Sequence, residues 1–402
     1  MEIPAYVQIL IWGFGLAALL GAIIHKTNFC TMGSVSDLVN MGDTSRLRAW
    51  LLAITTAMLG VLIMEGMDVV DLGMTMPPYR SSNFDWLRYI LGGTMFGIGM
   101  TLGSGCINKT LIRIGGGNLK SLLVLFVGGI MAYLMTMTDF YHYGFHIWIN
   151  PTAIELSNFD IESQQLSAIL AGIVGVADRG LFHYAVGGTV VAALLFWIFK
   201  SRAFRGNRDT LIGGLSVGLL VVAAWYLTGG PLGQEAIDEV SFMDEPPRGV
   251  GVMSFTFVNP MGETLNFLAH PTELTLFTFG VSILLGAIFG SFVYAVVTRR
   301  FRFEWFSSWK DFFRHLVGGI LMGTGGVLAM GCTIGQGVTG LSTMAVGSAL
   351  AFGSFIFGSA LTMKIEYYRL IYEERATFIA ALLSTLADMR LLPEAARRLE
   401  HT

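Results

Sequence analysis

Two glycine-rich stretches that each end in cysteine decide the fold of this chain: LGGTMFGIGMTLGSGC, residues 91–106, and VGGILMGTGGVLAMGC, residues 317–332. They align without a gap at a constant offset of 226. The positions they share are Gly92, Gly93, Gly97, Gly99, Leu102, Gly105 and Cys106 in the first copy. Chance does not readily produce such a match. The sequence therefore predicts an internal repeat with a cysteine at the equivalent position of each copy.

A second match places these stretches in two larger units. FGLAALLGAI, residues 14–23, matches FGVSILLGAI, residues 279–288, at an offset of 265. The two offsets differ by 39 residues, about one extra span plus its loops, and the apolar stretch 48–68 supplies it. One extra crossing would invert the second cysteine segment relative to the first, as in transporters built from inverted repeats. We therefore expect two pseudo-symmetric halves, about residues 6–200 and 210–363.

The composition is that of a membrane protein. Of the 402 residues, 53% are hydrophobic and 13% are charged, whereas a soluble domain carries about 25% charged residues. The apolar residues form runs of roughly 20, the length that crosses a hydrocarbon core as a helix. Residues 6–25 are too long and too poor in preceding positive charge for a cleaved signal peptide. The predicted class is an all-α polytopic membrane protein, which excludes an ordinary cytosolic enzyme and makes nucleic acid an improbable partner.

Hydropathy predicts seven clear spans. They are residues 6–25, 48–68, 119–138, 181–200, 210–228, 274–297 and 341–363. Two further stretches, 88–105 and 316–331, are short, dense in glycine and end at a cysteine, so a half-span re-entrant helix suits them as well as a full crossing. Backbone that turns back inside a membrane is tolerated only where protein or a water-filled cavity satisfies its polar groups.

The distribution of charge in the loops predicts the orientation. Residues 200–208 carry four bases and no acid, and residues 299–314 are also rich in bases, so the positive-inside rule makes both segments cytoplasmic. The loop 229–273 has seven acids against one base and belongs outside, together with the amino terminus. The side on which Lys109 and Lys120 lie depends on whether the Cys106 segment spans fully or dips back.

The predicted organisation is one transmembrane transporter domain, residues 1–363, followed by a tail, residues 364–402. The tail balances its bases and acids and includes an apolar stretch, Ala376 to Leu386. It is typical of a cytoplasmic or interfacial helix, so we expect the carboxyl terminus to be cytoplasmic.

The cysteines Cys30, Cys106 and Cys332 form no CxxC pair, which indicates neither a disulfide framework nor a zinc site. A free cysteine is usually a small buried hydrophobe. Two cysteines at equivalent repeat positions, each following a glycine-rich stretch, favour a role in binding instead. Gly105 and Gly331 then predict backbone that approaches a ligand or turns sharply in mid-membrane, although helix packing at GxxxG spacing is an alternative.

Four polar residues are further candidates. His142 and His146 have a spacing that binds metal on a helix, but their aromatic neighbours indicate an interfacial belt, and we predict neither a metal nor a cofactor. Asp37 follows Cys30 and is a candidate proton site, since carboxylates at membrane depth tend to be functional; capping of a short helix is the alternative. Lys109 either attracts anions or marks a cytoplasmic boundary.

Three motifs carry a resemblance to a known family: NFCTMGSVSDL (28–38), the first glycine-rich stretch (91–106) and GGILMGTGGVLAMGCTIGQGVTGLS (318–342). With them the chain, from about residue 6 to 363, resembles the YeeE/YedE family of sulfur-compound transporters, and the YeeE-type thiosulfate permeases in particular. The resemblance implies an hourglass-shaped helical protein with loops that dip to the bilayer centre. It also implies a substrate path along Cys30, Cys106 and Cys332, supported by the backbone of Gly105, Gly331 and Gly335. One departure is Lys109, where the family usually has glycine.

The residues and the resemblance together predict a bacterial inner-membrane permease for the uptake of thiosulfate or a closely related sulfur anion. A dianion cannot enter hydrocarbon bare, because its desolvation costs many kcal/mol. Helix amino termini supply N–H groups that replace its water. The alternatives are a transporter of a selenium compound or another small solute, and a membrane thiol sulfurtransferase or oxidoreductase. The sequence lacks a nucleophile–base constellation and haem or flavin signatures. It leaves open whether a cytosolic sulfurtransferase-like protein docks at the tail.

Overall fold

A computed structural model describes residues 3–176, 179–373 and 377–399. The chain is helical, as predicted, with one short antiparallel pair of strands, β1 (Asn83–Phe84) and β2 (Ile154–Glu155). The helices of the first half are α1 (Ala5–Thr27), α2 (Thr31–Met41), α3 (Ser45–Gly66), α4 (Trp86–Leu102), α5 (Ile107–Gly115), α6 (Leu119–Met137), α7 (Ile147–Ile149), α8 (Leu166–Val174) and α9 (Arg179–Phe199). The remaining helices are α10 (Arg202–Gly206), α11 (Arg208–Gly229), α12 (Pro231–Ser241), α13 (Val258–Ala269), α14 (Phe279–Val297), α15 (Trp309–Leu328), α16 (Val346–Ile371) and α17 (Phe378–Asp388). The chain also contains two π-helical segments, His142–His146 and Gly335–Gly340.

Eight helical segments of the described residues are long and apolar enough to cross a membrane. Seven of them overlap the seven predicted spans, and the eighth, Trp86–Gly115, contains the first of the two short glycine-rich stretches, 88–105. The second cysteine segment lies on α15, which is 20 residues long. The prediction of an all-α polytopic membrane protein is therefore confirmed.

Glycines bring α1 and α14 into close contact. A methyl group on Gly290 would lie 1.7 Å from the carbonyl oxygen of Ala18, and one on Gly21 would lie 2.1 Å from that of Ala287. Backbones that approach this closely gain dispersion contacts that apolar lipid cannot replace. The two segments that match at the 265-residue offset are thus packed against each other.

The two helices that precede the repeat cysteines, α4 and α15, also pack side by side through glycine. A methyl group on Gly92 would lie 2.7 Å from the carbonyl oxygen of Gly325, and one on Gly99 would lie 2.9 Å from that of Gly318. The pairing makes the helices antiparallel. The two contacts are equivalent under the 226-residue offset, which is what two inverted copies would produce, although the symmetry of whole halves stays a prediction.

The first cysteine segment runs from one face of the bundle to the other. At its start, Trp86 Nε1 donates a hydrogen bond of 2.9 Å to the carbonyl oxygen of Thr152. Beyond α5, Lys120 Nζ lies 2.7 Å from Asp311 Oδ2 in the base-rich segment 299–314. Of the two possibilities that the sequence leaves open for this segment, a full crossing fits these contacts. Lys120 therefore lies on the same face as residues 299–314, which we call the basic face.

The tail continues from the last span. Helix α16 runs on to Ile371, past the predicted boundary at residue 363, and α17 packs against its end. Asp388 of α17 accepts a hydrogen bond of 2.9 Å from the Tyr368 hydroxyl and lies 3.1 Å from Lys364 Nζ. Ala376, at the start of the predicted apolar stretch, lies outside the described residues. The division into a transporter domain and a tail stays a prediction.

Candidate functional site

Each of the three cysteines stands where a helix begins. Cys30 is the N-cap of α2, and its sulfur accepts a hydrogen bond of 3.5 Å from the Gly33 N–H. Cys106 is the N-cap of α5. The sulfur of Cys332 accepts a hydrogen bond of 3.4 Å from the Gly335 N–H, at the start of the second π-helical segment. Helix amino termini carry unpaired N–H groups and partial positive charge, so all three thiols lie beside groups that favour an anion.

The same backbone motif ends the long helix before each repeat cysteine. Ser104 (φ 60°) and Met330 (φ 56°) adopt the left-handed conformation. The next residue then donates back across the turn, Gly105 N–H to the Met100 carbonyl oxygen and Gly331 N–H to the Gly326 carbonyl oxygen, both at 2.8 Å. This hydrogen bond is typical of a helix carboxyl terminus that ends in a left-handed residue.

The left-handed residue of each turn thus lies one position before the glycine, Gly105 or Gly331, at which the sequence predicted the turn. The two glycines have a second role in packing. A methyl group on Gly105 would lie 3.2 Å from Lys109 Cβ, and one on Gly331 would lie 3.3 Å from Gln336 Cγ. Each glycine leaves room for a polar side chain of the helical turn that follows its cysteine. Gly335 is packed more tightly, because a methyl group there would lie 2.6 Å from Thr256 Oγ1.

All three thiols are buried, and those of Cys30 and Cys106 lie near each other. Cys106 and Cys332 have no exposed surface, and Cys30 is 6% exposed. The Cys106 thiol lies near the Cys30 thiol and near the hydroxyl of Thr333. Since Thr333 directly follows Cys332, Cys106 lies near both Cys30 and the second cysteine segment.

Buried polar groups without a protein partner follow each cysteine along the chain. They belong to residues within four positions after a cysteine: the hydroxyls of Thr31, Ser34 and Thr333, both amide atoms of Asn108, and the amide oxygen of Gln336. None of these residues is more than 2% exposed. A buried polar atom that lacks a partner costs about 1–3 kcal/mol. Several such groups beside three thiols indicate a site built to receive a polar ligand or water.

The charged candidates lie at the edge of this cluster. Lys109 Nζ donates a hydrogen bond to Asn28 Oδ1 and is close enough to interact with the sulfurs of Cys30 and Cys106. Asp37 Oδ2 lies 3.2 Å from Arg46 Nε. This ion pair, rather than a helix cap, engages the Asp37 carboxylate, because Cys30 occupies the N-cap of α2.

The histidine pair lies away from the thiols. The rings of His142 and His146 are 5.4 Å apart in the first π-helical segment, beside Tyr141. Across the described residues, no group of three or more metal-ligating side chains comes together.

The repeated glycines and cysteines do not single out Asn108, Thr333 and Gln336. The signal was present in CINKT and CTIGQ, where polar residues directly follow each repeat cysteine in an otherwise apolar segment. Polar side chains at membrane depth are expensive and mark functional positions.

Broken helices that meet at a buried polar centre within a bundle of spanning helices define a membrane transporter. The chain matches the family described as "Sulphur transport" over residues 26–361, and it belongs to this family. It is similar to the thiosulfate transporter TsuA of Escherichia coli strain K12, with 25% identity over 333 residues, 81% of this chain and 86% of that protein. It is likewise similar to the thiosulfate transporter TsuA of Spirochaeta thermophila, with 25% identity over 355 residues, 87% of this chain and 97% of that protein. The resemblance drawn from the cysteine motifs is confirmed, and the protein is a multi-pass membrane transporter rather than an enzyme.

Substitution of Gly335 tests whether the cysteine turn must keep its position. Gly335→Ala places a methyl group against Thr256, so the N–H that binds the Cys332 sulfur must shift. We expect substrate uptake per inserted molecule to fall roughly tenfold or more, because small displacements of positioning groups have large effects. Gly353→Ala in α16 is the matched control, since a methyl group there meets nothing within 4 Å. Equal uptake in the two variants would show that the Cys332 turn tolerates displacement.

Proposed function

We propose that this protein takes up thiosulfate, or a closely related sulfur-containing anion, along Cys30, Cys106 and Cys332. The observation that carries the proposal is that three buried thiols each lie at a helix amino terminus, followed along the chain by polar groups that lack protein partners. The names of the two relatives support thiosulfate as the substrate.

The chemistry of the cluster suits a dianion with a terminal sulfur. Free N–H groups at the helix starts replace part of the water that the anion loses. Neutral thiols are weak donors, and they suit a soft sulfur atom better than a hard hydroxyl does. Weak contacts at successive stations allow an anion to move on, which a conducting path requires.

The proposal includes an orientation in the bacterial inner membrane. The basic face is cytoplasmic by the positive-inside rule, and α16 ends there, since Arg314 of α15 pairs with Glu366. The start of α1 lies at the opposite face, where the Ala5 N–H donates to the Glu239 carboxylate in the acidic loop. The amino terminus is then outside and the carboxyl terminus inside. A cytosolic sulfurtransferase-like protein would receive the anion at the cytoplasmic face.

Uptake of radiolabelled thiosulfate into bacterial cells that lack other sulfate and thiosulfate permeases tests the function. We expect accumulation that depends on this protein and is reduced by excess unlabelled thiosulfate. Accumulation no greater than in cells with an empty vector would contradict the proposal. Faster uptake of a labelled selenium anion would assign a different substrate to the same path.

A further inference from the structure

A cavity of about 210 Å³ opens on the basic face. Its titratable lining residues are His25, Lys109, Arg113, Arg300, Arg302 and Glu304. The bases come from distant parts of the chain. They meet because the segment after α14 pairs with the turn between α5 and α6, where the Arg302 N–H donates to the Gly116 carbonyl oxygen at 3.0 Å.

The bases of this cavity have no ion-pair partner among the described residues. Among the described residues, no carboxylate lies within salt-bridge distance of Lys109, Arg113, Arg300 or Arg302. Lys109 and Arg113 bond only to neutral oxygens, those of the Asn28 side chain and the Ser104 backbone. The single acid of the lining, Glu304, accepts a hydrogen bond from the Asn118 amide.

Several basic side chains elsewhere in the protein form ion pairs with carboxylates. Arg46 pairs with Asp37, Arg80 with Glu65, and Arg314 with Glu366. Four cations that line one cavity without a carboxylate partner repel one another, and an anion would relieve this repulsion. Lys109 joins the cavity to the thiols, because it lines the cavity and also approaches the sulfurs of Cys30 and Cys106.

We infer that this cavity is an anion-binding station at the cytoplasmic end of the path, which holds a small divalent oxyanion between the thiols and the cytosol. The inference rests on the proposed function for its place in transport, but the binding itself does not depend on transport. Arg300 and Arg302 are the principal ligands, and Glu304 weakens the site enough for release.

Isothermal titration of the purified full-length protein in detergent at low salt tests the station, with sodium thiosulfate and then sodium sulfate as probes. Arg300→Gln/Arg302→Gln should weaken binding by at least about tenfold, since a hydrogen bond to a charged group contributes about 1.5–3 kcal/mol. Glu304→Gln should strengthen binding by about threefold. Arg202→Gln is the matched control, because Arg202 is exposed on the short helix α10 and does not line the cavity.

Two further measurements keep the result interpretable if the double variant folds poorly. Arg302→Gln alone should weaken binding, and the wild-type affinity should fall as salt is added. Wild-type binding in both arginine variants would overturn the station. Retention of an anionic phospholipid at the arginines, with no binding of either probe, would make the cavity a lipid site and would also overturn it.

These outcomes are distinguishable from failure of the proposed function. A protein that transports thiosulfate but binds no anion at the arginines contradicts the station alone. A protein that binds at the arginines but accumulates no thiosulfate contradicts the proposed function alone.

Discussion

Cys106→Ala is expected to lower thiosulfate uptake by about 5- to 30-fold per inserted molecule, and Cys332→Ala should have an effect of similar size. Each thiol would supply one weak hydrogen bond to the passing anion. Loss of a contribution of about 1–2 kcal/mol at a barrier corresponds to that change in rate. Cys106 is the position to test first, because its thiol lies near both Cys30 and Thr333. Uptake of labelled thiosulfate, normalised to the amount of inserted protein, measures the effect.

Serine distinguishes transport from packing at the same position. Cys106→Ser nearly preserves the shape and still donates a hydrogen bond, but a hydroxyl holds water more strongly and suits a soft sulfur less well. We therefore expect partial recovery relative to Cys106→Ala. If the cysteine only fills space, the two variants should differ in expression, and uptake per folded molecule should equal that of the wild type. Such a result would remove the thiols from the mechanism.

The sequence alone was sufficient to predict the membrane spans and to single out the two repeat cysteines. Long apolar runs have few alternatives in a bilayer, and the ungapped match around Cys106 and Cys332 identifies corresponding positions in two similar stretches. The packing of Gly92 and Gly99 against α15 follows from the same glycine spacing, although the pattern alone did not say which helices would meet.

The rest of the site depends on contacts between distant segments. Cys30 has no repeat counterpart, so no offset predicts that its thiol reaches Cys106. The left-handed residues, Ser104 and Met330, have side chains that ordinarily avoid this conformation, and the neighbouring glycines attracted the prediction instead. The basic cavity needs Arg302 to lie beside Lys109, which only the docking of the segment after α14 achieves.

Substitution of the unpaired polar groups should have opposite effects on stability and on transport. In Thr333→Val and Asn108→Leu, an apolar group of similar size replaces a buried polar group that has no protein partner. The thermal unfolding temperature in detergent should stay the same or rise, because an unsatisfied buried group costs about 1–3 kcal/mol. Uptake should nevertheless fall about tenfold or more, since the anion loses a ligand next to Cys106.

Thr55→Val is the matched control for these opposite effects on unfolding temperature and uptake. Thr55 is equally buried in the spanning helix α3, but its hydroxyl already donates a hydrogen bond of 2.7 Å to the Leu51 carbonyl oxygen. Loss of this hydroxyl in Thr55→Val should leave uptake near the wild-type rate. A core residue that merely packs would lose stability and activity together when it is changed. If Thr333→Val and Asn108→Leu lower the unfolding temperature and leave uptake per folded molecule unchanged, these groups are structural and the thiol cluster has no polar lining for an anion.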